Sequence, residues 1–169
     1  MRKLTTICLT LLLLITFTTP FNTQAEANSS VKEEIIYDIL IDRFNNGRQA
    51  PSEQVDINDP LTYNGGDIKG ITLMLNTIEE HGFTAISLSP IMANAPKGYH
   101  GYWIEDFYEI EEEFGSIEDL IELVQEAHNR EIKVYLELVT NYVANSSALV
   151  TDESKSDWFK EVEVEPMEA

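Results

Sequence analysis

The chain has 169 residues, a formal net charge of −19 and a single cysteine. This acidity argues against binding to nucleic acid or to an anionic membrane surface, because both would repel the chain. One cysteine cannot form an intramolecular disulfide, so an apolar core, a bound metal ion or both must stabilise the fold. These properties leave the oligomeric state open.

The first residues have the pattern of a secretory signal peptide. Arg2 and Lys3 precede a mostly apolar run over residues 7–17, and small residues suited to cleavage follow it. The run is shorter than the roughly 20 residues that cross a bilayer, which disfavours a retained membrane anchor. We predict a signal peptide over residues 1–25, a polar leader over 26–34, and a secreted, extracellular protein with no membrane contact after cleavage.

Three apolar segments have the composition of buried β-strands. They span residues 34–41, 83–88 and 133–139, and they are rich in the β-branched and aromatic residues that strands favour. Long segments rich in Asn, Asp, Gly and Pro follow the first two strands, at residues 45–66 and 89–115, and are predicted to be loops. Loops of this length in compact domains are usually functional.

Two helices are predicted between the strands. Apolar residues recur at helical spacing after Asp67, a suitable N-cap, and this pattern ends at Gly82. Ser116 is followed three residues later by Asp119, which is a capping-box pattern at the start of the second helix. The alternation of strands and helices predicts parallel strands with right-handed crossovers. Three strands cannot close a barrel, so we expect a sheet with two open edges.

Several polar and aromatic residues of interest come directly after the predicted strands. In parallel α/β folds, ligands bind at the carboxyl ends of the strands. The sequence therefore predicts that ligands bind at this edge of the sheet. The residues concerned are Asp42, Asn46, Tyr99, His100, Asn141 and Tyr142.

Ordered blocks of sequence between about residues 35 and 145 resemble the α-amylase family, glycoside hydrolase family 13. The blocks are DRFNNG at 42–47, YNGGDIKGI at 63–71, GFTAISLSPI at 82–91, GYHGYW at 98–103, the predicted second helix within 114–128, and the third strand. The resemblance implies an α/β fold, an incomplete TIM (β/α)8 barrel with about three parallel strands and two helices. A complete barrel needs about 250 residues. Residues 146–169 are expected to begin an inserted loop domain or to form a disordered tail.

The resemblance implies the N-terminal fragment of an α-amylase-family glycosidase that acts on α-glucans in carbohydrate metabolism. The family's chemistry uses two carboxylates about 5–5.5 Å apart, and the resemblance places both after strands that lie beyond Ala169. We therefore assign no catalytic residue to this chain and expect it to be inactive alone, which leaves open whether it is an enzyme. The alternatives are a non-catalytic glucan- or calcium-binding remnant, and a decayed, truncated product.

The resemblance also implies residues that bind an α-glucan or oligosaccharide. Tyr99 resembles the aromatic residue that stacks on the sugar at the cleaved bond, and His100 resembles the histidine beside that sugar's hydroxyl groups. Tyr142 stands where the family has a second sugar-contacting histidine. An aromatic face with polar neighbours suits a sugar ring, which has both apolar and hydroxyl surfaces.

Calcium is the cofactor that the resemblance implies. Asn141 resembles a ligand of one calcium site, and Asn46 and Asp67 resemble ligands of a second site; oxygen donors suit this hard cation. Asp67 is also a good helix N-cap. Arg48 adds a positive charge beside the second site, which opposes calcium binding, and Glu137 replaces the aspartate of the family's third-strand motif.

Overall fold

A computed structural model describes residues 34–48 and 52–160. The predicted signal peptide, nearly all of the predicted leader, and residues 161–169 lie outside the described residues. Short 3-10 helices also occur at Ile41–Arg43 and Glu153–Trp158. In chain order the main elements are β1 (Ile36–Ile39), α1 (Ile68–Glu80), β2 (Ala85–Leu88), β3 (Met92–Asn94), β4 (Ile104–Ile110), α2 (Ile117–His128), β5 (Lys133–Leu136) and α3 (Ala148–Thr151).

The main sheet is parallel and has the strand order β1-β2-β5. Ala85 of β2 lies opposite both Ile36 of β1 and Lys133 of β5. β2 is the central strand, and its apolar residues are completely buried, whereas β1 and β5 each have one neighbour among the described strands. This arrangement confirms the predicted α/β class and the incomplete barrel of three parallel strands and two long helices.

The two long helices pack against each other and share one apolar core with the sheet. The Asp67 side chain accepts a hydrogen bond from the Gly70 N–H and caps α1, while Ser116 and Asp119 form a reciprocal capping box at α2. Gly82, just after α1, has φ of +81°, a left-handed conformation that favours glycine. The predicted caps and helix end are therefore confirmed. The core includes Ile39, Ile71, Leu75, Ile86, Leu88, Phe114 and Leu123.

The prediction of a loop over residues 89–115 is wrong in its middle part, because β3 and β4 pair there as an antiparallel hairpin. Ala93 lies opposite Asp106, and register shifts interrupt the pairing on both sides of Ala93. β3 has three residues, and β4 contains several acidic residues, so neither strand shows a strong β pattern in the sequence. The predicted first and third strands are also shorter than expected, ending at Ile39 and Leu136.

The segment after β5 packs on the hairpin. The Ala144 N–H donates to the Ile104 carbonyl at 2.8 Å, and the Ser147 hydroxyl donates to the Glu105 carbonyl at 2.7 Å. The assignment of residues 146–169 to an inserted domain or a tail stays a prediction. Within the described ranges, every helix is too short or too polar to cross a membrane.

Glu111, directly after β4, is a buried acid at the base of the hairpin. It is 8% exposed, and one carboxylate oxygen accepts a hydrogen bond from the Asn94 N–H at 2.8 Å. Burial raises the pKa of Glu111, and the backbone donors of Asn94 and Glu113 partly oppose this effect. A raised folded-state pKa stabilises the fold while the group is protonated, and this contribution is lost as the pH rises through that pKa.

The unfolding free energy of the wild type is expected to fall as the pH rises above the ordinary pKa of a glutamate, about 4.3, and the Glu111→Gln variant should show a smaller fall. The uncharged amide cannot titrate, so the pH dependence that belongs to Glu111 disappears. Urea denaturation at several pH values measures this slope. Glu109→Gln, at an exposed position of β4, is the control and should keep the wild-type slope. A Glu111→Gln slope equal to that of the wild type would contradict the prediction.

Candidate ligand-binding site

An open cavity of about 460 Å³ lies at the carboxyl ends of the parallel strands. Side chains alternate along a strand, so Asp38 and Ser87, which are register partners, point away from the core side chains Ile39 and Leu88. The walls combine carboxylates and hydroxyls with one aromatic ring, which is suitable chemistry for a polar ligand with an apolar face. The lining residues are Asp38, Ile39, Leu40, Ser87, Ser89, Tyr102 and Glu137.

Tyr102 and Glu137 form the best-defined polar contact of this cavity. The Tyr102 hydroxyl donates to Glu137 Oε2 at 2.7 Å. This hydrogen bond is the main cause that raises the pKa of Tyr102 to about 12, so the phenol stays neutral at physiological pH. Sequence reasoning missed Tyr102, although it lies in the GYHGYW block, because the motif does not show which of its two tyrosines lines a cavity.

Tyr99 is not among the residues that line the cavity. The guanidinium carbon of Arg43 is 4.0 Å from the centroid of the Tyr99 ring, and the ring packs against the apolar core. Arg43 is held there because its Nη2 donates to the carbonyls of Pro60 and Thr62. One face of the Tyr99 ring is thus covered by Arg43. Sugar stacking on Tyr99 stays a prediction.

His100 lies among the aromatic residues of the hairpin tip. Its ring centroid is 5.1 Å from that of Tyr99, 5.8 Å from that of Tyr102 and 4.8 Å from that of Trp103. The Tyr102 N–H donates to His100 Nδ1 at 3.0 Å. Burial lowers the pKa of His100, which favours the neutral imidazole with its proton on Nε2. The predicted sugar contact of His100 stays a prediction.

Asn141 and Tyr142 are exposed and line a second groove, of about 570 Å³, together with Phe107, Trp158 and Phe159. Tyr142 is close enough to Tyr102 to contribute to the raised pKa of that phenol, so it lies near the first cavity as well. In residues 34–48 and 52–160, no group of three or more His, Cys, Asp or Glu side chains is arranged to hold a metal ion. A calcium ion at Asn141 stays a prediction.

Asn46 and Asp67, the other predicted calcium ligands, do come together. Asp67 Oδ1 accepts from the Gly47 N–H at 3.0 Å and the Gly70 N–H at 2.6 Å, and Oδ2 accepts from the Arg48 N–H at 3.1 Å. Asn46 Oδ1 also accepts from the Arg48 N–H, at 2.8 Å. These oxygens face backbone donors, whereas calcium requires about 6–8 oxygens directed at the ion. This arrangement does not fit a calcium site.

Parallel β/α units with a polar cavity at the strand carboxyl ends are typical of α/β proteins, and the (β/α)8 barrel has its ligand face there. The family model for the alpha-amylase catalytic domain matches residues 38–167 of the chain. The chain therefore belongs to the alpha-amylase family, and the resemblance noted in the sequence is confirmed.

Individual alpha-amylases are similar to the chain in sequence and structure. The enzyme from Saccharomycopsis fibuligera is 37% identical over 123 residues, which cover 69% of this chain and 25% of that protein. The structure of an Anoxybacillus alpha-amylase has 52% identity and a TM-score of 0.74, covering 76% of this chain and 28% of that one. The Geobacillus thermoleovorans alpha-amylase, solved in complex with acarbose, has 51% identity and a TM-score of 0.69, covering 76% and 27%. The chain thus spans about a quarter of the length of these relatives.

Proposed function

We propose that this chain forms a glucan-binding part of an α-amylase-type catalytic domain that acts on α-glucans. The single observation that carries the proposal is the Tyr102–Glu137 pair in the wall of the cavity at the strand carboxyl ends. A similar protein, the Geobacillus thermoleovorans alpha-amylase, was solved with acarbose, a carbohydrate ligand.

The chemistry of the cavity suits one glucose unit of such a ligand. A sugar ring has an apolar face, which packs well on an aromatic ring, and a rim of hydroxyl groups, which need donors and acceptors. Tyr102 supplies the ring, while Asp38 and Glu137 supply carboxylate acceptors and Ser87 supplies a hydroxyl. His100, which contacts Tyr102 through its Nδ1 atom, is proposed as a further sugar contact, and so is Tyr142.

The proposed role of these residues is binding rather than bond cleavage. An acid catalyst among carboxylates needs a dry site that raises its pKa, but Asp38 and Glu137 are both exposed. Glu137 is also engaged by the Tyr102 hydroxyl. We therefore assign neither residue as nucleophile or acid/base. The hydrolytic activity of an α-amylase-type domain is proposed for the whole barrel, with the catalytic carboxylates after strands other than β1, β2 and β5.

Three further features remain proposals. We propose that residues 1–25 direct secretion and that residues 146–169 begin an inserted domain between barrel strands. We also propose Asn141 as a ligand of one calcium ion, since its amide is exposed and its oxygen suits that cation.

The Tyr102→Ala variant is expected to weaken acarbose binding to the chain about fivefold, because an aromatic contact contributes roughly 1 kcal/mol. Tyr102→Phe keeps the ring but loses the hydrogen bond to Glu137, and it should lose less affinity than Tyr102→Ala. Isothermal titration calorimetry measures both dissociation constants.

Tyr135→Ala is the matched control for this experiment. Tyr135 is a partly exposed tyrosine of β5, on the same face of the sheet, but it does not line the cavity, and its hydroxyl donates to Glu34, which precedes β1. The control should bind acarbose as the wild type does. Equal losses at Tyr102 and Tyr135, or no loss at Tyr102, would argue against the proposed site.

A further inference from the structure

Arg48 lies in the loop of residues 45–48, where the sequence predicted a calcium ion. Its Nη2 donates to the Glu112 carbonyl at 2.9 Å, and its Nε is 3.8 Å from Asp67 Oδ2. We propose that the Arg48 guanidinium is the resident cation of this loop and that the loop binds no calcium. A side chain of the protein then supplies positive charge at the place where a bound metal ion would otherwise supply it.

The electrostatics of Asp67 support this assignment. Asp67 is 1% exposed, and a buried carboxylate requires hydrogen-bond donors and a countercharge. The N–H groups of Gly47, Arg48 and Gly70 supply the donors, and the Arg48 side chain supplies the charge. A divalent cation bound at Asp67 would meet this guanidinium at short range and be repelled by it.

The loop is also held to the helix by direct contacts. The loop backbone lies directly against the first turn of α1: a Cβ added at Gly70 would be 1.9 Å from the Asn45 carbonyl oxygen, and one added at Gly47 would be 2.4 Å from the Gly70 nitrogen. Calcium needs oxygen ligands at about 2.3–2.6 Å on several sides. The short distance between loop and helix is instead bridged by direct hydrogen bonds, including one from Asn45 Nδ2 to the Gly70 carbonyl at 3.1 Å.

Arg48 connects three parts of the chain. Its backbone belongs to the loop after β1. Its guanidinium group lies near the Asp67 carboxylate at the start of α1 and donates a hydrogen bond to the Glu112 carbonyl at the base of the hairpin. The same hairpin carries Tyr102 at its tip. The positive charge of Arg48 thus joins the loop, the helix and the hairpin without a metal.

Equilibrium dialysis with radioactive calcium measures how many calcium ions the full chain binds. It tests directly whether the loop of residues 45–48 binds one. Asn46→Ala is expected to bind the same amount of calcium as the wild type, whatever that amount is, because no ion contacts Asn46. Far-UV circular dichroism checks that the variant is folded. Loss of one bound calcium ion in folded Asn46→Ala would overturn the proposal.

Thermal unfolding in a chelator tests the role of the guanidinium. Arg48→Gln is expected to lower Tm by about 4 °C, the typical effect of losing roughly 1 kcal/mol in a domain of this size. Lys69→Gln, which removes one positive charge at an exposed position of α1, is the matched control and should leave Tm unchanged. Arg48→Lys keeps the charge but loses the planar donor group, so it should restore part of the loss. An Arg48→Gln Tm equal to that of Lys69→Gln would overturn the proposal.

Discussion

Replacing Phe114 with alanine is expected to lower the unfolding free energy by about 3–5 kcal/mol, the usual effect of removing a buried phenylalanine. Phe114 is completely buried, and its ring lies 6.1 Å from that of Tyr63 in an edge-to-face arrangement. Its carbonyl accepts from the Ile68 N–H at 2.9 Å, so the residue also fixes the start of α1.

Urea denaturation followed by tryptophan fluorescence and far-UV circular dichroism measures this effect. Leu73→Ala is the control, since Leu73 is an apolar residue of α1 that is 64% exposed. Its removal should change the unfolding free energy by less than about 0.5 kcal/mol. If the unfolding free energy of Phe114→Ala lay within about 1 kcal/mol of the wild-type value, the effect would be close to that of a surface substitution. That result would contradict the packing described.

Gly70→Ala is expected to destabilise the chain by about 3 kcal/mol, at the upper end of the usual range for overpacking. The new Cβ would lie 1.9 Å from the Asn45 carbonyl oxygen and 2.5 Å from the Asn45 carbonyl carbon, so backbone must move. Moving the loop would lengthen the hydrogen bonds from Gly47 and Arg48 to Asp67. The gain in helix propensity, about 1 kcal/mol, is too small to offset this.

Gly82→Ala provides the matched comparison for Gly70→Ala. Gly82 has φ of +81° but has open space around the position of a Cβ. Its replacement should therefore cost about 1–2 kcal/mol through backbone strain alone. Hydrogen exchange of the Gly47 and Arg48 amides should accelerate in Gly70→Ala and stay unchanged in Gly82→Ala. Equal stabilities and equal exchange in the two variants would show that the loop does not pack on the helix as described.

The helices and the parallel sheet could be predicted because local chemistry and tertiary packing agree there. Asp67 and Ser116 are capping residues by type and by position, and both cap in the structure. The hairpin could not be predicted in the same way. Met92–Asn94 is too short to show alternation, and β4 is rich in acidic residues, so only pairing with a partner makes them strands.

The candidate site shows where sequence reasoning is insufficient. The GYHGYW block contains two tyrosines, and the structure distinguishes them by their neighbours: Arg43 covers one face of Tyr99, whereas Tyr102 lines the cavity. Asp67 suited two roles, helix cap and calcium ligand. The structure shows its carboxylate accepting from backbone donors, and this depends on the fold of a loop that precedes it by some twenty residues.

Acarbose titration of the isotopically labelled chain, followed by nuclear magnetic resonance, tests the proposed glucan site most directly. The largest amide shifts are expected at Ser89, Tyr102 and Glu137, around the cavity at the strand carboxyl ends. Amides at the opposite end of the sheet, such as that of Thr84, should not move. Shifts confined to the groove around Trp158, or none at millimolar acarbose, would contradict the proposed site.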